Sequence, residues 1–163
     1  EEIDKSLKIG FIRPVKRATW LSPIIVIPMK NVKMWVCVDY RKLYAVTITD
    51  AFPLPFTDGV LDAVAGHEMY TFLDGFNGYN QVHMHPKDQD KTTFVTKWGL
   101  FVAVVMMFVL KTAPTTFQRV ISEVFSEYIP TFMQVLLDDF AVYGMRKDHL
   151  HHLRLCLERC RTT

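Results

Sequence analysis

The sequence predicts an α+β fold in which an antiparallel sheet carries helices on one face. Two observations support this prediction. From Glu68 onward the predicted elements run as one strand, two further strands, a helix, a strand pair and a final helix, an order typical of such sheets. The 163 residues are also 50% hydrophobic and 22% charged, which excludes a disordered chain and suits one compact domain or a lobe of a larger protein.

Composition excludes several other classes of protein. Seven glycines and eight prolines are near average usage and exclude collagen-like or low-complexity sequence. Three cysteines provide no disulfide framework and suit a reducing compartment. The longest apolar run, residues 100–110, is shorter than the roughly 20 residues that a membrane-spanning helix needs, and the polar first residues lack the apolar core of a signal peptide. We therefore expect no membrane partner.

The N-terminal part combines a predicted hairpin with an excess of positive charge. Residues 22–30 and 33–39 are rich in β-branched and aromatic side chains and are separated by two residues, so they predict paired strands. Residues 13–42 contain seven basic residues and one acid. Such a segment is typical of a surface that meets polyanions, and also of a solvated strand edge whose lysines prevent aggregation.

Helix and strand signals continue through the middle of the chain. Thr57 follows a proline-rich segment and can cap a short helix. Residues 68–74 predict a strand that ends at an acid, and residues 92–96 and 100–107 predict two strands around a turn.

The clearest helix signal follows Pro114, where apolar side chains recur at helical spacing and mark a buried face. These side chains are Phe117, Val120, Ile121, Val124, Phe125 and Tyr128. Residues 131–137 and 140–143 predict a hairpin with two acids at its tip, and residues 147–161 predict a last helix.

Three carboxylates lie at the ends of predicted strands. Asp138 and Asp139 stand between two apolar runs, and Asp74 ends an earlier strand. Two unit charges about 4 Å apart repel by roughly 4 kcal/mol at an effective dielectric of 20, and a divalent cation such as Mg²⁺ would offset this repulsion. The Asp138–Asp139 pair alone favours an ordinary type I turn. The third acid instead indicates a two-metal site for phosphoryl transfer.

The segments around these acids resemble motifs of reverse transcriptases. Residues 70–81 (YTFLDGFNGYNQ) resemble polymerase motif A, and residues 135–143 (VLLDDFAVY) resemble the YxDD motif. Further segments resemble the same enzymes in the same order, at residues 20–28, 36–43, 91–94, 98–99 and 113–119. Over nearly the whole chain, the pattern is similar to that of gypsy-type long-terminal-repeat retrotransposon polyproteins.

This resemblance implies the fingers and palm of an RNA-directed DNA polymerase. Residues 1–66 would be mainly fingers, and residues 67–163 mainly palm with a fingers insertion; we expect no thumb, connection or RNase H within these residues. The implied reaction transfers nucleotides from dNTPs to a primer 3′-hydroxyl. The implied partners are an RNA or DNA template with its primer, and the thumb, RNase H and integrase of the polyprotein. Relatives of this kind work in cytoplasmic particles and deliver their product to the nucleus.

The resemblance also implies roles for single residues. Asp74, Asp138 and Asp139 would be catalytic and hold two Mg²⁺ ions, with Mn²⁺ as a substitute. The nucleotide-binding positions would be Tyr79 as the steric gate, Gly78, Phe108 and Lys33. The nucleic-acid-binding positions would be Arg41, Gln118, Arg119 and Leu136. For Gln118 and Arg119 the resemblance implies contact either with the template or with the neighbouring fold. A core role for Tyr79 and a solvated surface role for each single charge remain open alternatives.

Several positions depart from the family pattern. Leu136 replaces the tyrosine of YxDD, Trp35 stands where an arginine is expected, Tyr44 replaces an asparagine and Val109 replaces a glycine. A decayed retroelement remnant that at most binds nucleic acid is therefore the alternative function. A metal-dependent nuclease that uses the same acids is a third.

A zinc site is a further alternative on the last predicted helix. His152, Cys156 and Cys160 recur at intervals of four residues. Zinc sites rarely take three ligands from one straight helix, so core or half-buried thiols are the favoured interpretation.

Overall fold

The computed structural model describes residues 2–28 and 34–162, with only the backbone at residues 2, 27, 28 and 34–36. The chain divides into two units: unit 1 comprises residues 1–49 and 79–113, and unit 2 comprises residues 50–78 and 114–163. The assignment of residues 1–66 mainly to fingers, and of residues 67–163 mainly to palm with a fingers insertion, stays a prediction.

The helices and strands of the described residues have the following bounds. The helices are α1 (Glu2–Lys8), α2 (Arg41–Val46), α3 (Thr57–Val64), α4 (Pro86–Gln89), α5 (Ala113–Val124) and α6 (His149–Thr162). The strands are β1 (Ile12–Val15), β2 (Ser22–Pro28), β3 (Met34–Val38), β4 (Met69–Asp74), β5 (Phe94–Thr96), β6 (Gly99–Ala103), β7 (Met133–Leu136) and β8 (Asp139–Gly144). No helix over these residues combines the length and apolar character needed to cross a membrane.

Unit 1 is built on a mixed sheet. Its strand order among the described residues is β1-β6-β5-β2-β3. The predicted β2–β3 hairpin is present, with Ile24 opposite Val38, and its tip lies outside the described residues. The parallel pairing of β2 with β5 was not predicted, because the two strands are far apart in the sequence.

The core of unit 1 forms where the sheet meets α2. Tyr40 is buried, and its hydroxyl donates a hydrogen bond to the main-chain oxygen of Thr92 at 2.7 Å. Burial raises the pKa of the Tyr40 hydroxyl, so the group stays a neutral donor. Apolar side chains from the sheet and α2 surround it: Ile12, Val38, Leu43, Phe94 and Phe101.

Unit 2 is the predicted antiparallel sheet with helices on one face. Its strand order is β4-β8-β7, with both pairings antiparallel. Side chains alternate between the faces of a strand, so one face collects the apolar residues that pack against α5 and α6. The buried members of this core are Phe125, Phe132, Met133, Val135, Phe140, Val142 and Cys156.

The opposite face of the unit 2 sheet carries the acids. Along β4, Tyr70, Phe72 and Asp74 point to this face, and Phe72 is 75% exposed. Asp139 lies on the same face, because it is the cross-strand partner of Asp74. The sheet therefore holds its acids on a solvent-exposed surface and its core on the other side.

Candidate active site

The strand register places the three acids at one end of the unit 2 sheet. Asp74, the last residue of β4, is the direct antiparallel partner of Asp139, the first residue of β8. Such partners have Cβ atoms about 4.5–5.5 Å apart. The main-chain N–H of Gly75 donates to the carbonyl oxygen of Asp138 at 2.7 Å. The backbone thus brings together residues that are far apart in the sequence.

The acids also depend on the shape of the β7–β8 turn. Leu136 pairs with Asp139, so Leu137 and Asp138 form a two-residue turn. Leu137 has a φ of 56°. A positive φ at the first central residue differs from a type I turn, where both values are negative. The Asp138–Asp139 pair is therefore split, with one acid in the turn and the other in a strand.

Gln118 of α5 stabilises this turn from the core. Its Oε1 accepts the main-chain N–H of Leu137 at 2.7 Å, and its Nε2 donates to the carbonyl oxygen of Val135 at 3.1 Å. Nε2 also donates to the Ser122 hydroxyl at 3.3 Å. The side chain is only 1% exposed, so it cannot reach nucleic acid from this position. The predicted nucleic-acid contact of Gln118 is thus replaced by a supporting contact with the turn.

Gly75 is a further residue of the site that sequence reasoning missed. A Cβ at this position would lie 3.0 Å from Cε2 of Phe140 and 3.4 Å from the carbonyl oxygen of Asp138. The missing side chain allows the backbone after β4 to approach the backbone of the β7–β8 turn. A glycine directly after a strand-ending acid was the available signal.

The three acids concentrate negative charge at the site. Asp74, Asp138 and Asp139 are exposed, and within the described part of the chain no lysine or arginine forms an ion pair with them. Like charges on directly opposed strand residues are destabilising. A bound cation would offset this repulsion.

The donor set fits a hard divalent metal in chemistry and backbone placement. Three carboxylates supply the oxygen ligands that Mg²⁺ prefers. As their side chains stand, no three His, Cys, Asp or Glu residues of the described ranges form a metal-binding group. Exposed side chains change rotamer within nanoseconds, and a shared metal site would require such a change in these carboxylates.

Arg119 follows Gln118 on α5, and its guanidinium forms ion pairs with two acids. Its guanidinium is 3.3 Å from Oδ2 of Asp50 and 3.6 Å from Oε1 of Glu123. The Thr116 hydroxyl donates to the same Asp50 oxygen at 3.1 Å. The main-chain N–H of Phe52, then Thr116 and Arg119, hold the pKa of Asp50 below its usual value. Arg119 therefore ties the start of unit 2 to α5.

The predicted nucleotide-binding residues are divided between the units. Tyr79 is half-buried and opens the second stretch of unit 1, whereas Gly78 is buried in unit 2. A Cβ at Gly78 would lie 2.5 Å from Cζ of Phe117, which explains the glycine by packing. Phe108 is exposed. Lys33 lies outside the described residues.

Arg41 and Leu136 complete the predicted nucleic-acid contacts. The Arg41 guanidinium binds Asp39, with Nη2 2.6 Å from Oδ2, although the arginine side chain remains exposed. Leu136 is half-buried and is the strand partner of Asp139. It therefore adjoins the acids, as its place in the YxDD-like motif implies.

Two departures from the family pattern contact each other in unit 1. The Tyr44 hydroxyl donates a hydrogen bond to the carbonyl oxygen of Val109. Both residues also pack against the core of the unit. The two substitutions are therefore accommodated within a folded unit.

The two cysteines of α6 differ in burial. Cys156 is buried in the core, and its thiol lies 3.6 Å from the Met133 sulfur. Burial raises the pKa of the Cys156 thiol to about 11, which disfavours the thiolate that zinc requires. Cys160 is exposed. The interpretation of both residues as core or half-buried thiols is confirmed for Cys156 and wrong for Cys160.

Comparison with known proteins supplies the family. A family model described as "Reverse transcriptase (RNA-dependent DNA polymerase)" matches residues 22–163. The chain is 39% identical over 134 residues to an "RNA-directed DNA polymerase homolog" of Oenothera berteroana, covering 80% of this chain and 94% of that protein. It is 35% identical over 162 residues to the "Retrovirus-related Pol polyprotein from transposon opus" of Drosophila melanogaster, covering 96% of this chain and 16% of the polyprotein.

A solved structure supports the fold. The foamy viral protease-reverse transcriptase in complex with an RNA/DNA hybrid superposes with a TM-score of 0.86 at 18% identity. The match covers 96% of this chain and 21% of that chain. The predicted fold class and the resemblance to retrotransposon polyproteins are both confirmed.

Proposed function

The chain belongs to the reverse transcriptase (RNA-dependent DNA polymerase) family, and from this premise we propose that it forms the fingers and palm of a retrotransposon polymerase. It would transfer nucleotides from dNTPs to the 3′-hydroxyl of a primer annealed to an RNA or DNA template. Its further partners would be the thumb, RNase H and integrase of a longer polyprotein. The observation that carries this proposal is the strand pairing of Asp74 with Asp139, with Asp138 in the adjoining turn.

Asp74, Asp138 and Asp139 are the proposed metal ligands. Reverse transcriptases generally use divalent metals, and the three carboxylates would hold two Mg²⁺ ions, with Mn²⁺ as a substitute. When bound, such ions activate the attacking hydroxyl and neutralise charge on the triphosphate. The protein contributes the placement of these ligands, through the β4–β8 register and the Gly75–Asp138 hydrogen bond.

Gln118 is proposed to position the acids rather than to contact substrate. Its amide fixes the main chain on both sides of Leu136. A ligand set must be held to within about 0.5 Å of its productive geometry. The buried amide supplies that rigidity from the side of the sheet away from solvent.

The remaining residues keep the roles that the family resemblance implies. Tyr79 would exclude a 2′-hydroxyl, and Gly78 and Phe108 would adjoin the nucleotide. Leu136, Arg41 and Arg119 would lie along the nucleic acid, with both arginines using the parts of their guanidinium groups that face solvent. Lys33 would contact the incoming nucleotide.

The alternative function is a remnant that binds nucleic acid without turnover. The departures at Tyr44, Val109 and Leu136 favour it, because they alter positions that shape the substrate site in the family. The Tyr44–Val109 hydrogen bond fits retention of the fold despite these changes. The two functions differ only in whether the acids support chemistry.

Primer extension tests the proposal. The chain is supplied with a primed RNA template, dNTPs and Mg²⁺, beside Asp74→Asn, Asp138→Asn and Asp139→Asn. Asp62→Asn, an exposed acid of α3, is the matched control. We expect synthesis by the wild type and the control alone. Absence of primer extension by the wild type and by every variant would support a remnant. Template degradation without extension would support a nuclease.

A further inference from the structure

We propose that the tip of the β5–β6 hairpin in unit 1 binds single-stranded nucleic acid by stacking an unpaired base on Trp98. The neighbouring cations would contact the phosphates of the same strand. The inference rests on the proposed function in one respect: the strand would be the template or primer of the polymerase. The binding itself requires no catalysis and is tested separately.

The hairpin tip is a hydrogen-bonded two-residue turn. Thr96 pairs with Gly99, so Lys97 and Trp98 occupy the turn. The Trp98 main-chain N–H donates to the Thr96 hydroxyl at 3.0 Å, and that hydroxyl donates to the carbonyl oxygen of Gly99 at 3.2 Å. Gly99 has a φ of 130°, which suits glycine. A preordered turn loses little conformational freedom when it binds a ligand.

Trp98 presents its ring to solvent from this turn. The residue is 64% exposed, although tryptophan is ordinarily well buried. The Lys97 ammonium lies 4.5 Å from the ring centroid, against one face of the indole. Aromatic side chains that stack on bases, together with nearby cations, are the recurring parts of single-strand binding sites.

Two more cationic residues follow β1 at the same end of the sheet. Val15, the last residue of β1, pairs with Leu100, the second residue of β6, so the chain passes the hairpin tip as it continues. Lys16 and Arg17 follow directly and are exposed. Over the described ranges, neither forms an ion pair with a carboxylate.

The acids described next to this sheet are paired with cations. Asp88 and Asp90 precede β5, at the end opposite its turn, and they pair with Lys91 and Arg13. Asp39, which follows β3, binds Arg41. The charge at the tip is therefore positive. Positive charge suits a polyanion. The exposed indole adds an apolar surface that charge alone would not require.

The stacking surface favours single strands over duplexes. Bases in a duplex are already stacked on their neighbours, whereas unpaired bases can stack on an aromatic ring. A purely electrostatic site would bind both forms and would not depend on the indole. Dependence on Trp98 is therefore the property that distinguishes this proposal.

The test measures binding by fluorescence anisotropy with labelled RNA and DNA oligonucleotides of about ten nucleotides. At fixed salt, we expect Trp98→Ala to weaken single-strand affinity at least about five-fold, as loss of one stacked base predicts. Trp98→Phe should retain most of the affinity. Phe56→Ala, which removes an 87% exposed aromatic ring from unit 2, is the matched control and should have no effect.

Salt dependence tests the cations separately. Replacing Lys97 by Gln should reduce the slope of log affinity against log salt by about 0.7, the value for one lost phosphate contact on a single strand. Lys16→Gln should do the same, and Lys147→Gln in unit 2 should leave the slope unchanged. Comparing the RNA and DNA oligonucleotides then shows which strand the site prefers.

Three outcomes would overturn the proposal. Trp98→Ala could bind single strands as tightly as the wild type, duplex binding could fall by the same factor, or the lysine variants alone could lose affinity. Thermal melts of Trp98→Ala and Trp98→Phe show whether the fold is retained. If primer extension fails but Trp98-dependent binding persists, the polymerase proposal is wrong and the proposal of single-strand binding at Trp98 is supported.

Discussion

The Oε1 atom of Gln118 accepts the main-chain N–H of Leu137 at 2.7 Å. Leu137 has a left-handed conformation, which costs an ordinary residue roughly 1–2 kcal/mol. The hydrogen bond from a buried amide helps to hold the turn in that conformation. The helix α5, through its core residue, thereby shapes the turn that carries Asp138.

Replacing Gln118 by Leu should destabilise the chain and impair the site. The substitution removes hydrogen bonds to Leu137 and Val135, and a buried polar group without a partner costs about 1–3 kcal/mol. Urea unfolding should show a decrease of this size in the free energy of unfolding. Ser122→Ala is the control: it removes only the 3.3 Å bond and should change stability by no more than about 0.5 kcal/mol. Equal stability of Gln118→Leu and the wild type would refute the role of the amide.

The turn conformation predicts an order of stability among variants of Leu137. Asparagine tolerates a positive φ, whereas a β-branched residue does not. Leu137→Val should therefore have a lower free energy of unfolding than Leu137→Asn, by roughly 1 kcal/mol. Both variants shorten the side chain, which makes the backbone the main difference between them. The reverse order in chemical denaturation would contradict the assigned turn.

Gly78 is expected to tolerate no side chain. A Cβ would lie 2.5 Å from Cζ of Phe117, and overpacking of this kind costs about 1–3 kcal/mol. Gly78→Ala should lower the melting temperature, and adding Phe117→Leu should recover part of the loss. Gly59→Ala in α3 meets no atom within 4 Å and should stabilise the helix by up to about 1 kcal/mol. Similar melting temperatures for the two alanine variants would argue against tight packing at Gly78.

Asp39 should titrate at unusually low pH. The hydrogen bond from the Arg41 side chain, above all, lowers the pKa of Asp39 from 3.8 to about 2. Because the folded-state pKa is depressed, the stabilisation is fully present above about pH 4 and is lost as pH falls toward 2. Carboxyl NMR titration should show the Asp39 pKa return toward 3.8 in Arg41→Gln.

The control for this titration is Lys42→Gln. Lys42 is the weakest of the influences on Asp39, so its removal should leave the pKa nearly unchanged. If both substitutions shifted the Asp39 pKa equally, general positive charge rather than the Arg41 contact would be responsible.

Local periodicity predicted most elements of unit 2. The strand ending at Asp74, the amphipathic helix after Pro114 and the final helix all occur within a few residues of their predicted bounds. These segments have a repeating apolar pattern that one face of the core requires. The register of β4 against β8 was not predicted, because it depends on long-range pairing rather than on local pattern.

The features that were missed depend on contacts distant in sequence. The parallel β2–β5 pairing joins strands about 70 residues apart. The family resemblance implied that Gln118 contacts either the nucleic acid or the neighbouring fold. In the structure the β7–β8 turn covers it and supplies its partners. Polar residues in a core can be recognised only when both the donor and the acceptor are in place.

The central claim is that Asp74, Asp138 and Asp139 bind divalent metal together. Titration of the chain with Mn²⁺, followed by electron paramagnetic resonance, measures this binding without substrate or turnover. We predict that each of the three Asp→Asn substitutions weakens Mn²⁺ affinity at least about ten-fold, equivalent to about 1.4 kcal/mol, and that Asp62→Asn does not. If Asp74→Asn binds Mn²⁺ as tightly as the wild type, the strand pairing of Asp74 with Asp139 does not form a shared metal site, and the account is wrong.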